Sequence, residues 1–167
     1  LGAVGIGKIG IVDNDLVDHT NLHRQIAHAA SDEGRAKVNS LRDTILAGNS
    51  NIEIDVHNIR LDRENVSELF EQYDIIADGS DNFETKFLLN QYSLINKKKL
   101  IIGAIGKFDG HIFSFDFKRK NTPCLKCFYQ SIPADKTLNC ETEGVIGPIA
   151  GLVGSLQAFE VMRNILD

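Results

Sequence analysis

Asn21, His23, Arg24 and Gln25, all side chains that can bind an anion or a carbonyl, crowd into five positions, shortly after the acids Asp13 and Asp15. Asp13 closes the apolar run Ile11-Val12, where a strand should stop. An acid at a strand end that opens into a polar loop is the usual edge of a nucleotide site in an open α/β sheet. Asp13 is therefore placed to accept both hydroxyls of a ribose, although two aspartates at such a point are equally ordinary turn formers. Arg24 offers a planar fork for phosphate oxygens, and Lys37 offers a point charge on a long stem. A lysine on a surface helix is also commonplace.

A second polar cluster, Asp78-Gly79-Ser80-Asp81-Asn82, follows the apolar run Ile75-Ile76-Ala77 and precedes a helical pattern. Asp81 could hold Mg²⁺ against phosphates, because that ion takes one or two carboxylates together with phosphate oxygens. The same residue types are also the favoured helix N-caps. Cys124-Leu125-Lys126-Cys127 has the spacing of half a zinc site, and a redox dithiol shares that spacing. Cys140, in the polar loop Leu138–Gly144, is a free thiol that a positive field would turn into a nucleophile.

The elements that must position these groups can be read from hydrophobic spacing. Leu1–Gly7 reads as the end of a helix and its glycine turn, and Lys8–Val12 as a strand. Gly5, Gly7 and Gly10 spell GxGxxG, but they lead into a strand and no helix follows, so they do not form a dinucleotide fingerprint. A nicotinamide-dependent oxidoreductase is accordingly disfavoured. Glu33–Ala47 has helical spacing, and Gly48 and Asn49 stop it. Ile52–Val56 alternates as a strand. A short helix is expected over about Arg63–Gln72 and a brief strand over Tyr73–Ala77.

Asn82–Asn96 reads as a helix with Phe83, Phe87, Leu88, Tyr92 and Ile95 on its core face. Leu100–Ala104 is a buried strand, Lys107–Gly110 a hairpin turn, and His111–Phe117 a strand of alternating character. The final helix, about Ile149–Leu166, should bury Leu152, Leu156, Phe159, Val161 and Ile165, with Gly151 and Gly154 at a close approach. Strands alternating with helices imply an α/β fold. The expected architecture is a Rossmann-like, mostly parallel sheet flanked by helices, with an antiparallel extension in the C-terminal part.

Composition narrows the class. The 167 residues suit one domain with a sizeable core. The formal charge of −5 supplies no basic field for nucleic acid. No run approaches the roughly 18 apolar residues of a membrane span. Three cysteines without a secretory signal point to a reducing compartment, with the cytoplasm as the default.

Taken in order, several segments resemble the MoeB/ThiF/HesA family, prokaryotic relatives of ubiquitin-activating enzymes. They are Asp13-Asn14-Asp15, Thr20-Asn21-Leu22-His23-Arg24-Gln25, Lys37, Asp78–Asn82, Pro123–Cys127, Cys140–Pro148 and Gly154–Glu160. The resemblance spans essentially the whole chain and implies one nucleotide-binding domain over residues 1–167. It implies ATP-dependent adenylation of the C-terminal Gly-Gly carboxylate of a ubiquitin-like sulfur-carrier protein (MoaD/ThiS-like), by a homodimer, for molybdopterin, thiamin or related biosynthesis.

By resemblance Asp13 binds ribose, and Asn21, Arg24 and Lys37 hold the phosphates, with Thr20, Leu22, His23 and Asn82 beside the nucleotide. Asp81 would bind Mg²⁺, Cys124 and Cys127 would bind Zn²⁺, and Cys140 is a candidate for a covalent link. The family's first strand and glycine loop are expected upstream of Leu1, and its second CxxC beyond Asp167, as in an internal piece of a longer chain. The competing reading is a catalytically silent subunit that pairs with an active one.

Overall fold

The computed structural model describes residues 1–129 and 144–166. The chain forms two compact units that divide after Leu61, and each is described by itself.

The first unit opens with a 3-10 turn, Gly2–Val4, closed by Gly5 at φ 82°, a left-handed angle that favours glycine. Strand β1, Lys8–Val12, pairs in parallel with β2, Glu53–His57, from Lys8↔Glu53 to Val12↔His57. Between them lies helix α1, Lys37–Gly48, the crossover that a parallel pair requires. Helical spacing placed its start at Glu33, four residues too early. Gly34 takes φ 81°, and residues 34–37 bond backward to the segment after β1. Gly34 N–H donates to Val17 O, Val17 N–H to Arg35 O and Lys37 N–H to Asp15 O, around an antiparallel Leu16↔Ala36 bridge. Those backbone groups are committed before the helix can claim them.

The second unit contains helix α2, Val66–Phe70, strand β3, Ile75–Asp78, and helix α3, Phe83–Ile95. Strands β4, Lys99–Ile105, and β5, Gly110–Asp116, follow, then helices α4, Leu125–Phe128, and α5, Gly147–Leu166. β3 and β4 are parallel, and β4 and β5 form an antiparallel hairpin closed by Gly106 N–H donating to Asp109 O. The expected α/β architecture, parallel pairs with an antiparallel extension, is the one observed. Leu100, Ile101 and Ile102 of β4 are completely buried and form the centre of this unit's core.

Side chains alternate across β4. Leu100, Ile102 and Ala104 share one face with Phe115, Phe113 and His111, while Ile101 and Gly103 share the other with Ser114 and Ile112. Helix α5 lies on the second face. A Cβ on Gly103 would stand 2.8 Å from Gln157 Oε1, and one on Gly110 only 2.4 Å from Val153 Cγ2. These two glycines are the close approach, whereas Gly151 and Gly154 have open space where a Cβ would be.

The buried side of α5 is Val153, Val161 and Asn164; of the expected face Val161 is buried, whereas Leu152, Leu156, Phe159 and Ile165 are exposed. The stripe that fits over the glycines is Val153-Gln157-Val161-Asn164, whose two amides hydrogen-bond to the sheet. Similarly, α3 buries Lys86, Asn90 and Ser93 beside Phe83, Phe87 and Tyr92, and leaves Ile95 68% exposed. Among the described residues, no helix is long and apolar enough to cross a membrane.

Candidate functional site

In the first unit the polar loop is built from local hydrogen bonds. Asp13 Oδ1 accepts the Asp15 N–H at 2.8 Å, an Asx turn that sets the chain away from β1. Asp15 Oδ2 accepts from Lys37 Nζ at 2.9 Å, so the first residue of α1 reaches back to the strand end. The Lys37 side chain is nearly buried while its acidic partner is exposed.

Asp18 Oδ1 caps the 3-10 turn His19–Asn21, accepting from both the N–H and the Oγ1 of Thr20. Those bonds, the hydroxyl first, hold its carboxyl below the usual range. Arg24 donates Nη2 to Asn21 Oδ1 at 2.7 Å and Nη1 to Thr20 O at 3.3 Å. His23 Nδ1 faces Thr20 O at 2.9 Å and therefore carries the proton, since a carbonyl only accepts. The structure thus joins Asp13 to Asp15, Asp15 to Lys37, and Arg24 to Asn21, and Leu22 is half-buried in the same turn.

A relay beyond Gln25 escaped the sequence reading. His28 Nδ1 lies 2.8 Å from Ser40 Oγ, and that hydroxyl donates to Asp32 Oδ2 at 2.9 Å. Because the one hydroxyl proton goes to the carboxylate, His28 Nδ1 is the donor to Ser40, which leaves Nε2 as an acceptor. Burial first, then the charge of Lys37, pushes the imidazole below its ordinary value, partly opposed by Asp32 and Asp13. The available signal was the position of Ser40, which turns inward on α1 just past Lys37. Two further side-chain atoms of this unit, Gln25 Oε1 and His57 Nε2, are buried without a hydrogen-bond partner. His57 ends β2, and its carbonyl accepts the Asp13 N–H.

In the second unit the loop Asp78–Asn82 joins β3 to α3. Asn82 is the N-cap of α3, its Oδ1 accepting the Thr85 N–H at 2.8 Å. Asp78 is buried and paired with Lys86, Oδ2 to Nζ at 3.0 Å. The exposed Asp81 has a 3.5 Å approach from Asn82 Nδ2, and Ser80 Oγ is buried without a partner.

The expected metal chemistry requires correction. Cys124 and Cys127 place their sulfurs 3.9 Å apart, but two thiols are half of a tetrahedral zinc site. Among the described residues, no group of three or more His, Cys, Asp or Glu side chains could hold a metal ion. Contrary to expectation, the described residues form no zinc site at Cys124 and Cys127, and Asp81, a single exposed carboxylate, makes no metal centre by itself. Burial raises the Cys124 thiol, but hydrogen bonds from the backbone of Lys126 and Cys127 and from the side chains of Cys127 and Asn90 outweigh it and hold the thiol below its ordinary value. Cys140 lies outside the described residues.

A profile of the ThiF family matches residues 1–167. The chain belongs to the ThiF family. Among curated relatives of this ThiF-family chain is the adenylyltransferase and sulfurtransferase MOCS3 of Culex quinquefasciatus, 40% identical over 99% of the chain and 38% of the relative. The adenylyltransferase and sulfurtransferase UBA4 of Vanderwaltozyma polyspora is 38% identical, over 100% of the chain and 38% of the relative. The chain thus spans well under half the length of these relatives. Among solved structures, Escherichia coli MccB superposes with a TM-score of 0.81 at 21% identity, covering 98% of this chain and 49% of that one. MccB with ATP gives 0.74 at 21% identity, over 97% and 50%. At that identity the likeness is one of fold.

Proposed function

We propose that the chain is the nucleotide-binding domain, over residues 1–167, of an adenylyltransferase that uses ATP to activate the C-terminal carboxylate of a ubiquitin-like carrier. The observation that carries this reading is the cationic pair in the first unit. Lys37 is held by Asp15, just past the carboxyl end of β1, and Arg24 by Asn21 in the loop that follows. The names of the curated relatives, adenylyltransferase and sulfurtransferase, agree with it. The proposed carrier is a MoaD/ThiS-like sulfur carrier ending in Gly-Gly, the pathway molybdopterin or thiamin synthesis, the acting form a homodimer, and the compartment the cytoplasm.

In the reaction, a carboxylate oxygen of the carrier bonds to the α-phosphorus of ATP. The bond from that phosphorus to the bridging oxygen breaks, and pyrophosphate leaves with the electron pair. The nucleophile is already anionic, so the protein's task is positioning and charge stabilisation. Asp13 uses Oδ1 for its turn and keeps Oδ2 for the ribose hydroxyls. Arg24 holds its fork flat against Asn21 and Thr20, with N–H groups to spare for phosphate oxygens. Lys37 exchanges Asp15 for the polyphosphate when it arrives. Thr20, Leu22 and His23 shape the same turn. Within the second unit, Asp81 and Asn82 are proposed as nucleotide-contacting residues on the resemblance alone. Cys140 is the proposed position of any covalent link to the carrier.

The test is carrier-dependent exchange of pyrophosphate into ATP by the full-length protein. Arg24→Ala should lower the exchange rate by about 100-fold, the order of magnitude for losing one preorganised charge donor, with the circular dichroism spectrum unchanged. Absence of ATP binding by the wild type would sink the enzymatic reading and favour a silent subunit.

A further inference from the structure

Every oxygen of Asp78 is engaged by a donor from within its own unit. Oδ1 accepts the Ser80 N–H at 2.9 Å, Oδ2 accepts from Lys86 Nζ at 3.0 Å, and its carbonyl accepts from Gln157 Nε2 at 2.7 Å. Lys86 Nζ donates a second time, to Gly103 O at 3.0 Å, and Gln157 Nε2 donates again, to Ile101 O at 3.1 Å. Three elements, α3, β4 and α5, therefore converge on one residue at the carboxyl end of β3. The Lys86 and Asp78 side chains are each only 2% exposed. Such a pair is a poor choice for stability alone, because desolvation offsets the attraction and an apolar pair of similar volume commonly does as well. What the arrangement fixes is the direction in which the chain leaves β3. That exit sets Ser80, whose buried hydroxyl has no partner, and then Asp81 and Asn82. Even Gly103 conforms, since a side chain there would strike Gln157.

We propose that Lys86 and Gln157 are positioning residues that hold the loop Asp78–Asn82 in its ATP-binding shape through Asp78, without touching the nucleotide. This rests on the reading above that Asp81 and Asn82 lie beside ATP.

The experiment uses the full-length protein and measures ATP affinity by calorimetry together with the thermal unfolding midpoint. Gln157→Met keeps the volume and removes both N–H donors. Lys86→Met leaves the Asp78 carboxyl buried without its ion-pair partner and is expected to unfold readily. The double variant Lys86→Met with Asp78→Asn removes both charges yet keeps an oxygen for the Ser80 N–H, and should recover most of the lost midpoint. ATP affinity should fall at least fivefold in both Gln157→Met and the double variant, although both are folded. A clamp that serves stability alone would move the midpoint and spare the affinity of the folded protein, so a smaller change in either variant overturns the proposal. Wild-type protein that binds no ATP would instead overturn the functional reading, and the positioning role with it.

Discussion

The cation Lys37 is paired with Asp15, an acid it would have to release to meet the proposed ATP. Its ammonium is nearly buried against an exposed carboxylate, so removing Asp15 would leave the charge with less compensation before ATP arrives and none to displace afterwards. Asp15→Asn is expected to change ATP affinity by no more than a few-fold, whereas Lys37→Met should weaken it by at least tenfold in the same titration. A result in the opposite order would mean that Asp15, not Lys37, meets the ligand. His28 carries a pH signature. Its folded pKa lies below the unfolded value of 6.5, so the neutral ring contributes stability above that pH. The contribution is lost as pH falls through the depressed folded value. Replacing His28 with Gln should flatten that part of the unfolding midpoint curve between pH 7 and 5. An unchanged curve would show that burial beside Lys37 does not depress the proton affinity of His28.

At the scale of elements, glycines decide how closely helix and sheet meet. Gly110→Ala would push a methyl into Val153 and should cost about 1–3 kcal/mol by urea unfolding, in the range of overpacked cores. Most elements were legible in the sequence because each carries its own punctuation. Asn82 capped α3 as its residue type suggested, and Gly48-Asn49 ended α1. What spacing could not resolve was choice among equivalents. Helix α5 buries a stripe in which Gln157 and Asn164 alternate with valines, and the glycines and hydrogen-bond acceptors of the facing sheet select it over the more apolar one. The start of α1 was misread because Gly34 and three backbone hydrogen bonds to residues 15–17 are tertiary facts without a periodic trace.

For the molecule as a whole, the parts of the candidate site that lie close in sequence were readable, and the parts made by packing were not. Asp13, Asn21 and Arg24 announce themselves within one loop. The His28–Ser40–Asp32 relay and the burial of Lys86 against Asp78 depend on helices α1 and α3 turning those residues inward. Cysteine spacing misled, since two thiols announce a metal only when other ligands gather around them, and among the described residues none do. The two units also differ in how their strands meet. β4 and β5 face each other across a short turn, whereas β1 and β2 must find each other across the whole of α1. Closing a short turn takes microseconds, while distant parallel partners first bear a larger loop entropy. Hydrogen exchange started during refolding should therefore protect the amides of Leu100–Ala104 before those of Ile9–Val12. The hairpin would act as the seed of its unit, and the strand that delivers Asp13 to its place would be among the last to settle.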